Sequence, residues 1–237
     1  MTIPRLYPIL DAGVFPTDPD ARATFLTQLG RELADSGLTL LEYRNKSATD
    51  AEVFADARLL RAVLPVGRVR LVMGDRVDIA LAADFDGVHV DDGDLPPSAA
   101  RLLLESALGS RAIVGTSAST EAALAAALRQ PVDYIAFGPI FPTTTKQTSS
   151  TPVGLDGVRC FRALAGPDAI LVAAGRHNAR NCADYPGCRS QFRRCLRRHL
   201  PRNSSGSRTP PLAGRARLIW SSRSSISSER IVARRAN

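Results

Sequence analysis

Residues 38–64 read LTLLEYRNKSATDAEVFADARLLRAVL. The segment opens with a short, almost continuously apolar run, Leu38–Tyr43, and closes with Ala51–Leu64, where Val53, Phe54, Leu59, Leu60 and Val63 recur at helical spacing. The first part reads as a strand covered on both faces and the second as an amphipathic helix. A strand followed directly by a helix is the first half of a βαβ unit, the connection that parallel strands require.

The same alternation runs outward in both directions. Further strands are predicted at Leu6–Leu10, Val69–Val72, Gly87–Val90, Ala112–Thr116, Tyr134–Phe137 and Ile170–Ala173, and further helices at Ala21–Ala34, Ala99–Leu108 and Glu121–Leu128. Seven β units separated by helices predict an α/β fold with a parallel sheet. The count points to a (β/α)8 TIM barrel with seven of its strands in place, an open doubly wound sheet being the competing architecture. No GxGxxG follows the first strand, which disfavours dinucleotide binding.

The chain has 237 residues, 44% hydrophobic and 23% charged, enough for one large domain with an extension. No run approaches the ~20 apolar residues of a membrane helix. The first twenty residues lack the pattern of a signal peptide, so a cytoplasmic location is expected. The net charge of +8 conceals two unlike parts. Residues 176–237 carry 15 Arg, no Lys and two acids, whereas residues 1–175 carry 16 basic and 21 acidic residues. The boundary near residue 175 therefore divides a barrel-like domain, 1–175, from a basic tail, 176–237.

In a parallel barrel, chemistry sits at the C-terminal ends of the strands. The segments falling there are Glu42-Tyr43-Arg44-Asn45-Lys46, Gly74-Asp75, His89-Val90-Asp91-Asp92-Gly93-Asp94, Gly115-Thr116-Ser117 and Gly138–Lys146. Alternation along an extended chain lets Glu42, Arg44 and Lys46 share a face. Carboxylates that hold a metal, beside cations and hydroxyls that hold phosphate oxygens, suit a magnesium-bound phosphate ester. The chain has only two lysines, Lys46 and Lys146, against 29 arginines, and both fall on this rim. A lysine kept against such a bias indicates a need for a compact point charge.

These segments resemble the thiamine phosphate synthase family over about residues 6–175. The markers are Glu42–Lys46, Gly74-Asp75-Arg76-Val77-Asp78, Gly87–Val90 with Asp94, Gly115-Thr116-Ser117, and Gly138-Pro139-Ile140-Phe141-Pro142-Thr143-Thr144-Thr145-Lys146. The resemblance implies a TIM barrel that condenses a hydroxymethylpyrimidine diphosphate with a thiazole phosphate, releasing pyrophosphate. It implies Mg²⁺ on Asp75 and Asp94, pyrophosphate on Arg44, Lys46 and Lys146 beside Ser117, and substrate contacts at Glu42, Gly74, Thr143, Thr145 and Gly175. Asp75 and Asp94 equally suit helix N-termini. His89 reads as a core or supporting residue, Asp78 as an exposed or structural one, and Cys160 as a buried thiol.

The chain departs from the family pattern at Glu42 (Gln in the pattern), Gly74 (Asn), Asp91-Asp92 (Gly-Gln) and Arg176 (a second Gly). No family-like eighth strand follows; Ala216–Trp220 is the best candidate, and an open barrel with two bare edges is expected. The abrupt Arg/Ser-rich onset is what a shifted reading frame would give. The Arg pairs at 193-194 and 197-198 allow nonspecific, salt-sensitive nucleic-acid binding rather than specific recognition. His177, Cys182, Cys188, Cys195 and His199 do not match zinc-ligand spacing. The expected partners are small-molecule substrates, with a homo-oligomer left open. The alternatives are a thiazole tautomerase-like barrel and an inactive, incomplete barrel with a basic tail.

Overall fold

A computed structural model describes residues 3, 4, 6–64, 66–141, 152–174 and 217–222. Residues 38–64 contain β2 (Leu40–Arg44) and α2 (Asp50–Val63). Thr49 starts the helix: its hydroxyl accepts from the Glu52 amide, and the Glu52 carboxylate accepts from the Thr49 amide at 2.8 Å. This reciprocal capping satisfies two amides that the first turn would otherwise orphan.

The remaining elements follow in alternation. They are β1 (Leu6–Asp11), α1 (Pro19–Asp35), β3 (Arg70–Gly74), α3 (Val77–Ala82), β4 (Gly87–Val90), α4 (Pro97–Leu108), β5 (Ile113–Ala118), α5 (Glu121–Ala127), β6 (Tyr134–Phe137), α6 (Gly154–Ala165) and β7 (Leu171–Ala173). Strands β1 to β7 pair in sequence order, each parallel to the next. The seven-stranded parallel sheet curls with its helices outside, and apolar residues fill both the layer beneath the helices and the interior of the curl.

One feature of the chain's end differs from expectation. Strand β8 (Arg217–Ser222) pairs with both β1 and β7, so neither edge of the curled sheet is left bare. It overlaps the candidate read at 216–220. It runs antiparallel to both neighbours, with Leu6 opposite Trp220 and Ala173 opposite Trp220. The expected open barrel is therefore corrected: tail residues supply the closing strand, in the reverse direction.

At the N-terminal ends of the strands the same device occurs twice. Asp86 accepts from the Leu71 amide at 2.8 Å and pairs with Arg61 of α2. Asp133 accepts from the Val114 amide at 2.8 Å and pairs with Arg101 of α4. Each clamp ties a helix, the strand that follows it and the turn that leads into the next strand. They lie at the end of a barrel that serves stability rather than chemistry.

Candidate active site

The C-terminal end of β2 sends alternate side chains to opposite faces. Glu42 and Arg44 point inward and, with Lys46, meet groups from β1 and β3. Arg44 Nη1 lies 2.8 Å from Asp11 Oδ2 at the end of β1. Lys46 Nζ lies 2.5 Å from Asp75 Oδ2, just past the end of β3.

Asp75 sits in an unusual conformation, with φ +68. Left-handed backbone in a non-glycine residue persists only where its surroundings impose it. Here the Asp75 amide donates to the His89 carbonyl at 2.8 Å, and this turn aims the carboxylate at the rim. Asp94 lies within hydrogen-bonding reach of Asp75. Burial pushes the Asp75 carboxyl above the usual range; Lys46 pulls it down, and Asp94 pushes it further up. Asp94 is held in its own turn, where Oδ2 accepts from the Asp91 amide at 2.8 Å.

Neither acid caps a helix. The residue preceding α3 is Arg76 and that preceding α4 is Pro96, neither with a side-chain cap. The N-terminal reading of Asp75 and Asp94 thus gives way to a facing pair of carboxylates. Such a pair repels itself unless a cation lies between, and two hard oxygen donors beside open rim suit Mg²⁺, which keeps sites for water and phosphate oxygens. Among the described residues no cluster of three or more His, Cys, Asp or Glu could hold a metal, so the fit is to a two-carboxylate site.

Beneath the rim, a polar chain crosses the barrel interior. Ser117 Oγ lies 2.9 Å from His89 Nε2, His89 Nδ1 lies 3.0 Å from Tyr134 Oη, and the Tyr134 and Tyr7 hydroxyls are 2.6 Å apart. Tyr7 in turn interacts with the Glu42 carboxyl and lowers its pKa against the effect of burial. Burial lowers the readiness of His89 to charge, but the Asp91 carboxylate 3.5 Å from Nε2 and the charges of Glu42 and Asp75 more than offset it, leaving its pKa raised. Burial raises the pKa of Glu42. His89 is thus a supporting residue under Ser117, in keeping with its reading as a core position. Tyr134 fits only because residue 115 is glycine: a Cβ there would stand 2.0 Å from Tyr134 Cζ.

Gly74 backs Arg44, and a Cβ on it would meet Arg44 Cγ at 3.5 Å. Gly138, with φ +148, packs against the Ala174 carbonyl, which also accepts from the Ile140 amide at 2.8 Å. Thr143, Thr145, Lys146 and Gly175 lie outside the described residues, as do the tail His and Cys. Asp78 is an exposed partner of Arg76. Cys160 is a correction: it is exposed, with Sγ 3.2 Å from Glu121 Oε1, because it lies on the outer side of α6 rather than on its buried face. The residues not anticipated are Asp11, Asn45 and Tyr43. Asp11 was signalled only by its place at the end of the first strand.

A curled parallel sheet whose C-terminal rim gathers carboxylates, an arginine and a lysine defines a group-transfer enzyme for phosphorylated substrates. The family model for thiamine monophosphate synthase matches residues 6–186. The chain belongs to that family and is a transferase. It is 42% identical over 182 residues to the thiamine-phosphate synthase of Koribacter versatilis, covering 77% of this chain and 82% of the relative. Against the thiamine-phosphate synthase of Chloroflexus aurantiacus it is 37% identical over 180 residues, covering 76% and 77%. The solved thiamine phosphate pyrophosphorylase of Pyrococcus furiosus superposes with a TM-score of 0.59 at 26% identity, covering 81% of this chain and 80% of that one. No helix among the described residues is long and apolar enough to cross a membrane.

Proposed function

We propose that this chain condenses 4-amino-2-methyl-5-(diphosphooxymethyl)pyrimidine with a thiazole phosphate, giving thiamine phosphate and pyrophosphate at the rim formed by the C-terminal ends of the parallel strands β1 to β7. The observation that carries the reading is the juxtaposition of Lys46, Asp75 and Asp94, with Arg44 one step away on the same strand end. An enzyme without a diphosphate substrate would have no use for that set, which favours the synthase over a tautomerase.

Asp75 and Asp94 would hold Mg²⁺, which when bound neutralises charge on the departing pyrophosphate. Arg44 offers a planar fork for two phosphate oxygens, and Lys46 a mobile point charge for a third. Lys46 leaves Asp75 for the diphosphate, so the ion pair now seen becomes a charge relay to the leaving group. Ser117 presents a hydroxyl whose orientation is held from below by His89. Lys146, Thr143, Thr145 and Gly175 are assigned to the phosphate groups by the family pattern. The carbon–oxygen bond of the pyrimidine methylene breaks, and the thiazole nitrogen forms the new carbon–nitrogen bond. The protein aligns the two rings and stabilises the charge that leaves. No covalent intermediate with the chain is required.

The test is pyrophosphate release by the purified chain with both substrates and Mg²⁺, beside an Asp94→Ala control. Release that needs all three components and is lost in the control supports the reading. A soluble, folded chain that releases none overturns it.

A further inference from the structure

We infer that Asn45 is a positioning residue for Lys46, its side-chain amide tying the turn that carries the lysine to a buried phenol and carboxylate, themselves held by a partly buried guanidinium, on the outer face of β2. The inference rests on the reading of the rim as a diphosphate site.

Residues 42, 44 and 46 serve the rim, and residues 43 and 45, one step out of phase, face the helices. Asn45 Oδ1 accepts from the amides of Ser47 at 3.2 Å and Ala48 at 3.1 Å. Lys46 lies within this small turn. On the other side, Asn45 Nδ2 donates to Tyr43 Oη at 3.0 Å, and Tyr43 Oη donates to Asp56 Oδ2 at 2.6 Å. Asp56 also takes Arg22 Nε, at 2.8 Å to Oδ1 and 3.0 Å to Oδ2. Arg22 lies over the Phe15 ring, 5.0 Å from its centroid.

Donor counting makes the arrangement one-way. The single hydroxyl proton of Tyr43 is committed to Asp56, so the Tyr43 oxygen can only accept from residue 45. The Asn45 amide nitrogen must therefore face Tyr43, which leaves its oxygen for the two turn amides. An aspartate could keep the turn but not the tie to Tyr43. The anchor end is inside the protein, Tyr43 being fully buried and Asp56 5% exposed, whereas the Lys46 side chain is 40% exposed. A long, mobile lysine on an exposed turn reaches a defined point only if its backbone is held, and Asn45 does the holding.

Three chains decide the matter: wild type, Asn45→Ala and Tyr43→Phe. Calorimetric binding of magnesium pyrophosphate, hydrogen exchange at the Ser47 and Ala48 amides, and steady-state kinetics are measured on each. Asn45→Ala should weaken pyrophosphate binding and raise KM for the pyrimidine diphosphate by about tenfold, the size of one well-placed hydrogen bond, with kcat changed less than about threefold. KM for the thiazole phosphate should not move, and the two amides should exchange faster. Tyr43→Phe should move the same quantities in the same direction by less. Wild type that binds pyrophosphate, with both variants unchanged in binding and exchange, overturns the inference alone. Wild type that binds no pyrophosphate overturns the reading of the site, and the inference with it. A uniform fall in kcat with KM unmoved would mark Asn45 as merely structural and also overturns the inference.

Discussion

Lys46 Nζ and Asp75 Oδ2 lie 2.5 Å apart, so the cation assigned to pyrophosphate and a carboxylate assigned to Mg²⁺ are each other's partners before ligand arrives. The pair keeps two strand ends in register and holds down the charge of a crowded acid. Asp75→Asn removes the carboxylate proposed for Mg²⁺ and frees Lys46 at once. We expect kcat/KM to fall by about a hundredfold or more, as when a charge-stabilising group is lost from a transition state. A Mg²⁺ titration of pyrophosphate release checks this, and added metal should not restore the rate fully.

Asp11 does for Arg44 what Asp75 does for Lys46, with a 2.8 Å ion pair from the end of β1. It also accepts from the Gly13 amide at 3.0 Å and so fixes the turn after the strand. Asp11→Asn keeps the turn and removes the charge. KM for the pyrimidine diphosphate should rise by about tenfold through a loosened Arg44, while KM for the thiazole phosphate stays put. Equal changes in both would show that Asp11 acts on the rim as a whole.

Glu42 offers a pH test of the buried chain. Its pKa is raised in the folded protein by burial, so between the unfolded and folded values the native state binds more protons than the unfolded one. Stability from this group is present at acid pH and is lost as pH rises through the folded value. Glu42→Gln, which keeps a partner for Tyr7, should therefore raise Tm at pH 8. It should leave Tm nearly unchanged below about pH 4, where both states of the wild-type acid are protonated. Equal Tm shifts at both ends of the range would contradict a titrating origin.

Gly115→Ala should unfold the interior rather than touch the rim. The new methyl would stand 2.0 Å from Tyr134 Cζ, and Tyr134 cannot swing away without abandoning both Tyr7 and His89. Overpacking of this kind costs about 2–3 kcal/mol, which lowers Tm by about 5–10 °C for a chain of this size. Differential scanning calorimetry reads it directly.

Much of the body was legible because parallel strands buried on both faces leave short apolar runs that few other elements produce. The rim positions of Arg44, Lys46, Asp75, Asp94 and Ser117 are legible because each lies within a few residues of the end of such a run. Asp11 is not legible in the same way because the apolar run ends at Leu10, whereas the strand continues one residue further. Asp56 carried a usable signal, an acid set on the buried stripe of α2 between Val53 and Leu60, but its meaning depends on Arg22 and Tyr43, which only folding brings near. Tyr7 and Tyr134 are 127 residues apart, and nothing local in either strand announces a bond between their hydroxyls. β8 was a faint candidate for the same reason. Its partners lie in β1 and β7, and the sequence around it lacks the apolar spacing of the seven units before it.

The reversed closing strand also sets an order of events. Strands β1 to β7 can assemble one neighbour at a time as the chain is made, each closing a short loop. The last seam is different: Leu6 must find Trp220, more than 200 residues away, while β7 is recruited by the same strand. Contacts of such long range carry the largest loop-closure cost and form late. Closure of the barrel should therefore be among the last events of folding. In refolding experiments the seven-stranded sheet should gather first, and the seam between the two ends of the chain should be the slow step.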